Sequence, residues 1–292
     1  MSIITKSANV VGFLLVVTIA VILVLQNLSY FQNSNNQNTE SKNATETYLA
    51  PAVFTFGIWF LILPLLLGFI IYQWFEGEDG AVDRGVSYYF FCQAILNVVW
   101  LILWEFALYL AVAIVQLIIL ILFFIIYFNL ITHYEPKGIE SICLVYPFSI
   151  LTPWNLYALF LEIWIAIPAL NTVILTVIVL VLLTIFGLYF VDYCWRRDNL
   201  FAFAIIWVLV GIAVNNVENM PVYATALAGI GLISGGIFRN WFSFTKDWRS
   251  SVDFIETGGG SAYEPSFAFR NYRTDQQYGS SGPHMPEMYG RQ

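Results

Sequence analysis

A chain of 292 residues with 59% hydrophobic and 11% charged residues excludes an ordinary soluble domain, in which about 25% of residues are charged. A net charge of −7 without a basic patch or nucleic-acid motif excludes a nucleic-acid binder. Mean hydropathy is +0.74, and the apolar residues run in long unbroken stretches, not in the short alternating segments of a membrane β-barrel.

A spanning helix needs about 20 apolar residues. Runs of that kind predict eight spans, at 8–26, 52–74, 87–106, 107–130, 143–167, 169–191, 199–215 and 220–238. Residues 87–130 are too long for one span, and Glu105 marks the turn between two. The first run follows Lys6 but lacks a small-residue cleavage site, since Gln26-Asn27-Leu28-Ser29 follows, so it reads as a retained span. The expected class is an all-α polytopic membrane protein.

Placing the N-terminus in the cytoplasm puts Lys6, Arg84, Lys137, Arg196, Arg197, Arg239, Lys246, Arg249, Arg270, Arg273 and Arg291 on the inner side and leaves only Lys42 outside. That segregation supports an even number of spans with both termini inside. The outer loop 27–50 carries the sequons Asn27-Leu28-Ser29 and Asn43-Ala44-Thr45, which allow a secretory-pathway membrane. Trp74, Trp195 and Trp241 read as interfacial anchors. After an interfacial stretch beginning at Arg239, the tail to residue 292 reads as largely disordered and cytosolic.

No phosphate-binding loop, nucleophile elbow or metalloprotease motif is present, and no enzymatic chemistry is expected. His133 and His284 stand apart, and Cys92, Cys143 and Cys194 have no metal spacing and read as buried thiols, so no metal site is expected.

Polar groups are costly in hydrocarbon, so the spans' polar residues are informative. Gln93, Asn97, Trp100 and Trp104 recur at i, i+4, i+7 and i+11, one helical face. In the fifth span Trp154, Ala158 and Glu162 share a face, with Asn155 beside it. A carboxyl enclosed at Glu162 requires a proton or a partner. Gln93 and Asn97 also fit plain interhelical hydrogen bonds, about 0.6–2 kcal/mol each. Pro64 and Pro153 can kink the second and fifth spans. Ala224, Ala228, Gly231 and Gly235 form a small-residue face on the eighth span, suited to packing within the chain.

Four motifs in order resemble one family. They are Pro51-Ala52 with Phe56-Gly57-Ile58-Trp59; Asn97 with Trp100 and Trp104; Pro147-Phe148-Ser149 with Trp154 and Ala158; and Ile206-Trp207-Val208-Leu209-Val210-Gly211-Ile212. Together they resemble the TspO/translocator protein family, the tryptophan-rich sensory proteins, and especially its longer multi-span members. The resemblance covers about residues 50–212. This sequence departs from the pattern at Leu63, where the family has a tyrosine, and at Glu162, where it has an asparagine.

The resemblance implies a five-helix membrane domain over 1–168, three additional helices over 169–238 and a tail over 239–292. It implies binding of a hydrophobic small molecule, a tetrapyrrole (porphyrin or haem) or a sterol-like lipid, for sensing, handling or transport. The candidate ligand residues are Trp59, Gln93, Asn97, Trp100, Trp154, Ala158 and Glu162, with loop 27–50 as a lid. Partners are then the bilayer and the ligand, with a homodimer or membrane complex also compatible. Two alternatives stand beside this reading: a proton-coupled transporter using Glu162, and an accessory subunit without a ligand.

Overall fold

Away from water every backbone N–H and C=O must be bonded within its own segment, so each apolar run closes on itself as a helix. The computed structural model describes residues 3–34, 47–75, 80–133, 138–192 and 197–256, and for 23–24, 26–34, 84 and 243–256 the backbone alone. Among the described residues there are eight α-helices: α1 (Ile3–Ser34), α2 (Trp59–Tyr72), α3 (Tyr89–Glu105), α4 (Tyr109–His133), α5 (Tyr146–Ala166), α6 (Val173–Asp192), α7 (Asn199–Asn215) and α8 (Met220–Glu256). No strand occurs among the described residues. Met1–Phe242 form one compact unit and Ser243–Gln292 another. Asn43, Lys42, most of loop 27–50 and the tail beyond residue 256 lie outside the described residues, as do Trp195 and the side chain of Asn27.

Among the described residues six segments are long and apolar enough to cross a membrane: Ile3–Ile22, Val53–Tyr72, Tyr109–His133, Ser141–Ala166, Val173–Asp192 and Met220–Phe242. The other two, α3 and α7, are apolar but have 17 residues each, about 26 Å at 1.5 Å per residue. The expected turn at Glu105 is present. There α3 stops, Ala107 adopts a left-handed φ of 54°, and α4 starts at Tyr109.

α5 is the central helix. In Ser141–Ala166, 78% of the apolar window is buried, against 22–39% in the other five segments. Its buried polar side chains reach different neighbours. Ser149 Oγ donates to Asp198 Oδ2 at 2.6 Å, ahead of α7. Asn155 Oδ1 accepts from Gln116 Nε2 of α4 at 2.9 Å. The Tyr157 hydroxyl donates to the Leu49 carbonyl at 2.9 Å. Glu162 Oε1 accepts from Trp100 Nε1 of α3 at 2.8 Å, and Trp164 Nε1 donates to Thr176 Oγ1 of α6 at 3.3 Å. Nearer the start of α5, Phe148 meets Phe69, Phe90 and Phe123 with centroids 5.6, 6.2 and 6.4 Å away, joining α2, α3 and α4.

The segment 47–58 ahead of α2 is fastened to α5, to the turn between α5 and α6, and to α7. Asn171 Oδ1 accepts from Tyr48 N, Asn216 Nδ2 donates to Tyr48 O, and Asn215 Nδ2 donates to Ala50 O. Trp207 Nε1 donates to Thr55 O at 2.8 Å, and Ala52 N donates to Gly211 O at 2.9 Å. The contact requires glycine at 211, because a Cβ there would lie 2.0 Å from Thr55 Oγ1 and 2.9 Å from Thr55 Cβ. α7 and the turn between α5 and α6 therefore hold the entry to α2.

Asp198 fastens the opposite end. Its Oδ1 caps α7 by accepting from Leu200 N and Phe201 N, and its Oδ2 accepts from Tyr127 and Ser149 hydroxyls. At the same end Lys6 sits 5.9 Å above the Trp74 ring, and Arg239 pairs with Asp192.

Two expectations are corrected. The stripe Ala224, Ala228, Gly231 and Gly235 does not pack within the chain. All four are exposed, and a Cβ at Gly231 or Gly235 would meet nothing within 4 Å. The packed face is Val222, Ala226, Gly229, Ile233 and Gly236, where Gly229 approaches Thr184 and Gly236 approaches Val191. Bulky knobs between the small residues distinguish that face. Cys92 is exposed and Cys143 half-buried, because a thiol is apolar enough to sit on a lipid-facing surface.

Gly211→Ala should lower stability by about 1–3 kcal/mol through overpacking on Thr55, and Thr55→Gly should restore part of the loss. Thermal unfolding in detergent reads both, and an unchanged midpoint for Gly211→Ala rules out the close approach. Asp198→Ala should cost about 2–4 kcal/mol, combining a lost cap with two stranded hydroxyls. Asp198→Asn, which keeps a capping oxygen, should cost less, and the reverse order in chemical unfolding would refute the shared-carboxylate arrangement.

Candidate functional site

Helix periodicity places Gln93, Asn97, Trp100 and Trp104 along one side of α3, and they divide by depth. Gln93 is buried, and its Oε1 has no hydrogen-bond partner among the described residues. Asn97 uses its amide on the Gln93 carbonyl of its own helix, 3.0 Å away. Trp100 and Trp104 stack with centroids 5.5 Å apart and planes inclined by 22°. Tyr109, at the start of α4, meets Trp104 edge-on at 5.5 Å. The end of α3 and the start of α4 thus present three rings in a row.

That row meets α5 at Glu162. The carboxyl is 4% exposed, with Oε1 bonded to Trp100 and Oε2 buried without a partner among the described residues. Ala158, one turn earlier, is half-buried and supplies a small surface beside it. Asn155 lies two turns before Glu162 and takes a separate partner, Gln116 of α4. The two side chains serve different helices and form no common polar site.

Trp154 is 7% exposed and enclosed by rings. Phe56 meets it at 5.8 Å and 78°, and Tyr157 at 5.9 Å. Phe56 was nominated only as part of a motif, yet it supplies this contact; Trp59 is half-buried against the core. The structure thus joins Trp100 to Glu162 directly and keeps Trp154 and Ala158 on the same helix as Glu162. It gives Trp59 and Trp154 no ring contact with each other among the described residues.

Residues not nominated complete the geometry. Gln116 is buried and donates to both the side chain and the backbone carbonyl of Asn155. A lone amide in the apolar run 110–126 was its available signal. Asp198 had the signal of an acidic residue just ahead of an apolar run, the mark of a helix cap. Asn9 Nδ2 donates to Gln73 Oε1 at 3.3 Å, joining α1 to the end of α2.

A cavity of about 240 Å³ lies at the Asp198 end, with Tyr146, Ser149, Arg197 and Asn199 in its wall. None of the nominated ligand residues lines it. Ser149 and Asp198 are bonded to each other, so their polar capacity is committed to holding α5 against α7. Among the described residues no group of three or more His, Cys, Asp or Glu side chains is placed to hold a metal ion.

No curated protein and no solved structure matches this chain. The family described as TSPO-like protein matches residues 9–239, which takes in most of α1, all of α2 to α7 and α8 as far as Arg239. A match of that extent shows that this multi-pass integral membrane protein belongs to the TSPO-like family.

Proposed function

We propose that the chain binds a hydrophobic small molecule, with a flat tetrapyrrole-like or sterol-like body, between α3 and α5. The observation that carries this reading is the Trp100–Glu162 hydrogen bond, because it joins a three-ring row to a buried carboxyl with an unused oxygen. Aromatic walls with few polar groups suit such ligands. Trp100, Trp104, Trp154 and Ala158 would supply the wall, Glu162 the polar anchor, and Gln93 and Asn97 the deeper amides. Trp59 would border the site from α2, and segment 47–58 its outer rim.

The connections α1–α2, α3–α4, α5–α6 and α7–α8 share the end near Glu162. Lys6, Arg84, Arg197 and Arg239 lie toward the other end. We propose that the basic end faces the cytosol. A second reading, coupling of ligand movement to a proton, rests on the free oxygen of Glu162. Proton-driven uptake into liposomes that is lost in Glu162→Gln would favour it, and uptake indifferent to the gradient would remove it.

The leading reading is tested with a carboxyl-free porphyrin, octaethylporphyrin, added to the protein in nanodiscs while tryptophan fluorescence is followed. Saturable quenching is expected, weakened about 5- to 10-fold in Trp154→Phe, the equivalent of about 1–1.4 kcal/mol for an aromatic contact. Asn97→Ala should weaken it as well. Non-saturable quenching common to all three proteins means partition into lipid, and it favours an accessory subunit without a ligand.

A further inference from the structure

We infer that the ligand's polar head is a protonated amine, held by Glu162 Oε2 next to the Trp100–Trp104 stack. This rests on the α3–α5 site proposed above and specifies its ligand.

The argument starts from Glu162. Oε1 is satisfied by the indole of Trp100, whereas Oε2 is buried and has no donor among the described residues. A carboxyl in this position needs a proton of its own, a counter-charge or a donor within hydrogen-bond distance, and a bound cation supplies the last two together. Helices α2 to α7 cannot supply a cation. The sequence has no Lys or Arg between Arg84 and Lys137, between Lys137 and Arg196, or between Arg197 and Arg239. Those intervals contain α3 to α7 entire, and α2 is equally free of basic residues. Lys6 lies at the opposite end, beside Trp74.

The surroundings then select among donors. The Trp100 and Trp104 planes are nearly parallel, and Tyr109 closes on Trp104 from the side. Indole faces attract ammonium groups within about 6 Å, more strongly when water is excluded. A carboxyl beside stacked indoles favours a cation over a neutral hydroxyl, and it repels the carboxylate of an acidic ligand. Ala158 and the partly exposed Trp100 mark where the apolar body attached to that cation would lie.

The test uses three probes of one shape: pyrenemethylammonium, pyrenemethanol and methylpyrene. Energy transfer from tryptophan reads their binding to the full chain in nanodiscs of neutral phosphatidylcholine, which removes attraction by the bilayer itself. The ammonium probe should bind at least ten-fold more tightly than methylpyrene, with the alcohol close to methylpyrene. Glu162→Gln keeps an oxygen for the Trp100 hydrogen bond and should erase the difference between the charged and uncharged probes. Trp104→Leu leaves the carboxyl in place and should narrow the difference.

An alcohol that binds as tightly as the ammonium, or a preference that survives Glu162→Gln, overturns the inference and leaves the hydrophobic site standing. A preference that emerges only in Lys42→Gln assigns the counter-charge to the chain itself and also overturns it. If none of the probes binds saturably, the α3–α5 site fails, and the inference fails with it.

Discussion

The bundle depends on the polar side chains of α5. A helix buried on nearly every side has no lipid face on which to leave a polar group, so each one must find a partner in the surrounding helices. Ser149, Asn155, Tyr157, Glu162 and Trp164 do so against Asp198, Gln116, the Leu49 carbonyl, Trp100 and Thr176. These bonds run from one end of the helix to the other. They fix its rotation and height relative to α3, α4, α6 and α7. Apolar packing alone would fix them loosely, because lipid tails compete on nearly equal terms for Leu and Ile surfaces. The position of the Trp100–Glu162 pair is thus set by bonds made along the whole helix, as far away as Ser149 near its start.

The same logic relates the last three helices to the first five. Trp207, Asn215 and Asn216 of the α7 region donate to carbonyls in 48–55, and Gly211 lets the two backbones approach. Segment 47–58 anchors Leu49, Thr55 and Ile58 in the core and sets Phe54 against Trp207, and it leads directly into α2. Its carbonyls would otherwise lie at the membrane boundary with variable partners. With α7 beneath it, the outer rim near Trp154 becomes a defined surface, since Phe56 of this segment is the ring that covers Trp154.

Helix existence was legible in the sequence because apolar length alone specifies it, and the turn at Glu105 was legible because residues 87–130 are too long for one span and carry their one charge there. The α3 face was legible because 3.6-residue periodicity places Gln93, Asn97, Trp100 and Trp104 together whatever else is present. The Trp100–Glu162 bond was not, since it depends on how α3 and α5 are rotated about their axes. The clamp on segment 47–58 was hidden for another reason. Its acceptors are backbone carbonyls, which every residue carries, so nothing marks Leu49 or Thr55 as a partner. The small-residue stripe of α8 misled because two faces of that helix carry small residues. The face that carries Val222 and Ile233 is the one buried against the chain, with Ile233 seated on Gly187 and Gly229 on Thr184 and Leu209, whereas the small residues of the other face are exposed.

The balance of donors and acceptors gives the candidate site its character. The helices α2 to α7 contain no Lys or Arg, so the donors available inside the bundle are indole N–H groups, amides and hydroxyls. Most are already committed: Trp100 to Glu162, Trp164 to Thr176, Trp207 to Thr55 and Gln116 to Asn155. The buried side-chain atoms left without a partner among the described residues are all oxygens, on Asn9, Thr47, Thr55, Gln93 and Glu162. A threonine hydroxyl can rotate to donate, but the oxygens of Gln93 and Glu162 can be satisfied only by a donor arriving from elsewhere or, at Glu162, by a proton. An interior with its own donors spent and with acceptors to spare discriminates by hydrogen bonding as well as by shape. Under the proposed function, such an interior would favour an apolar body carrying a cationic N–H donor over one carrying a carboxylate, which would add one more acceptor where donors are already lacking.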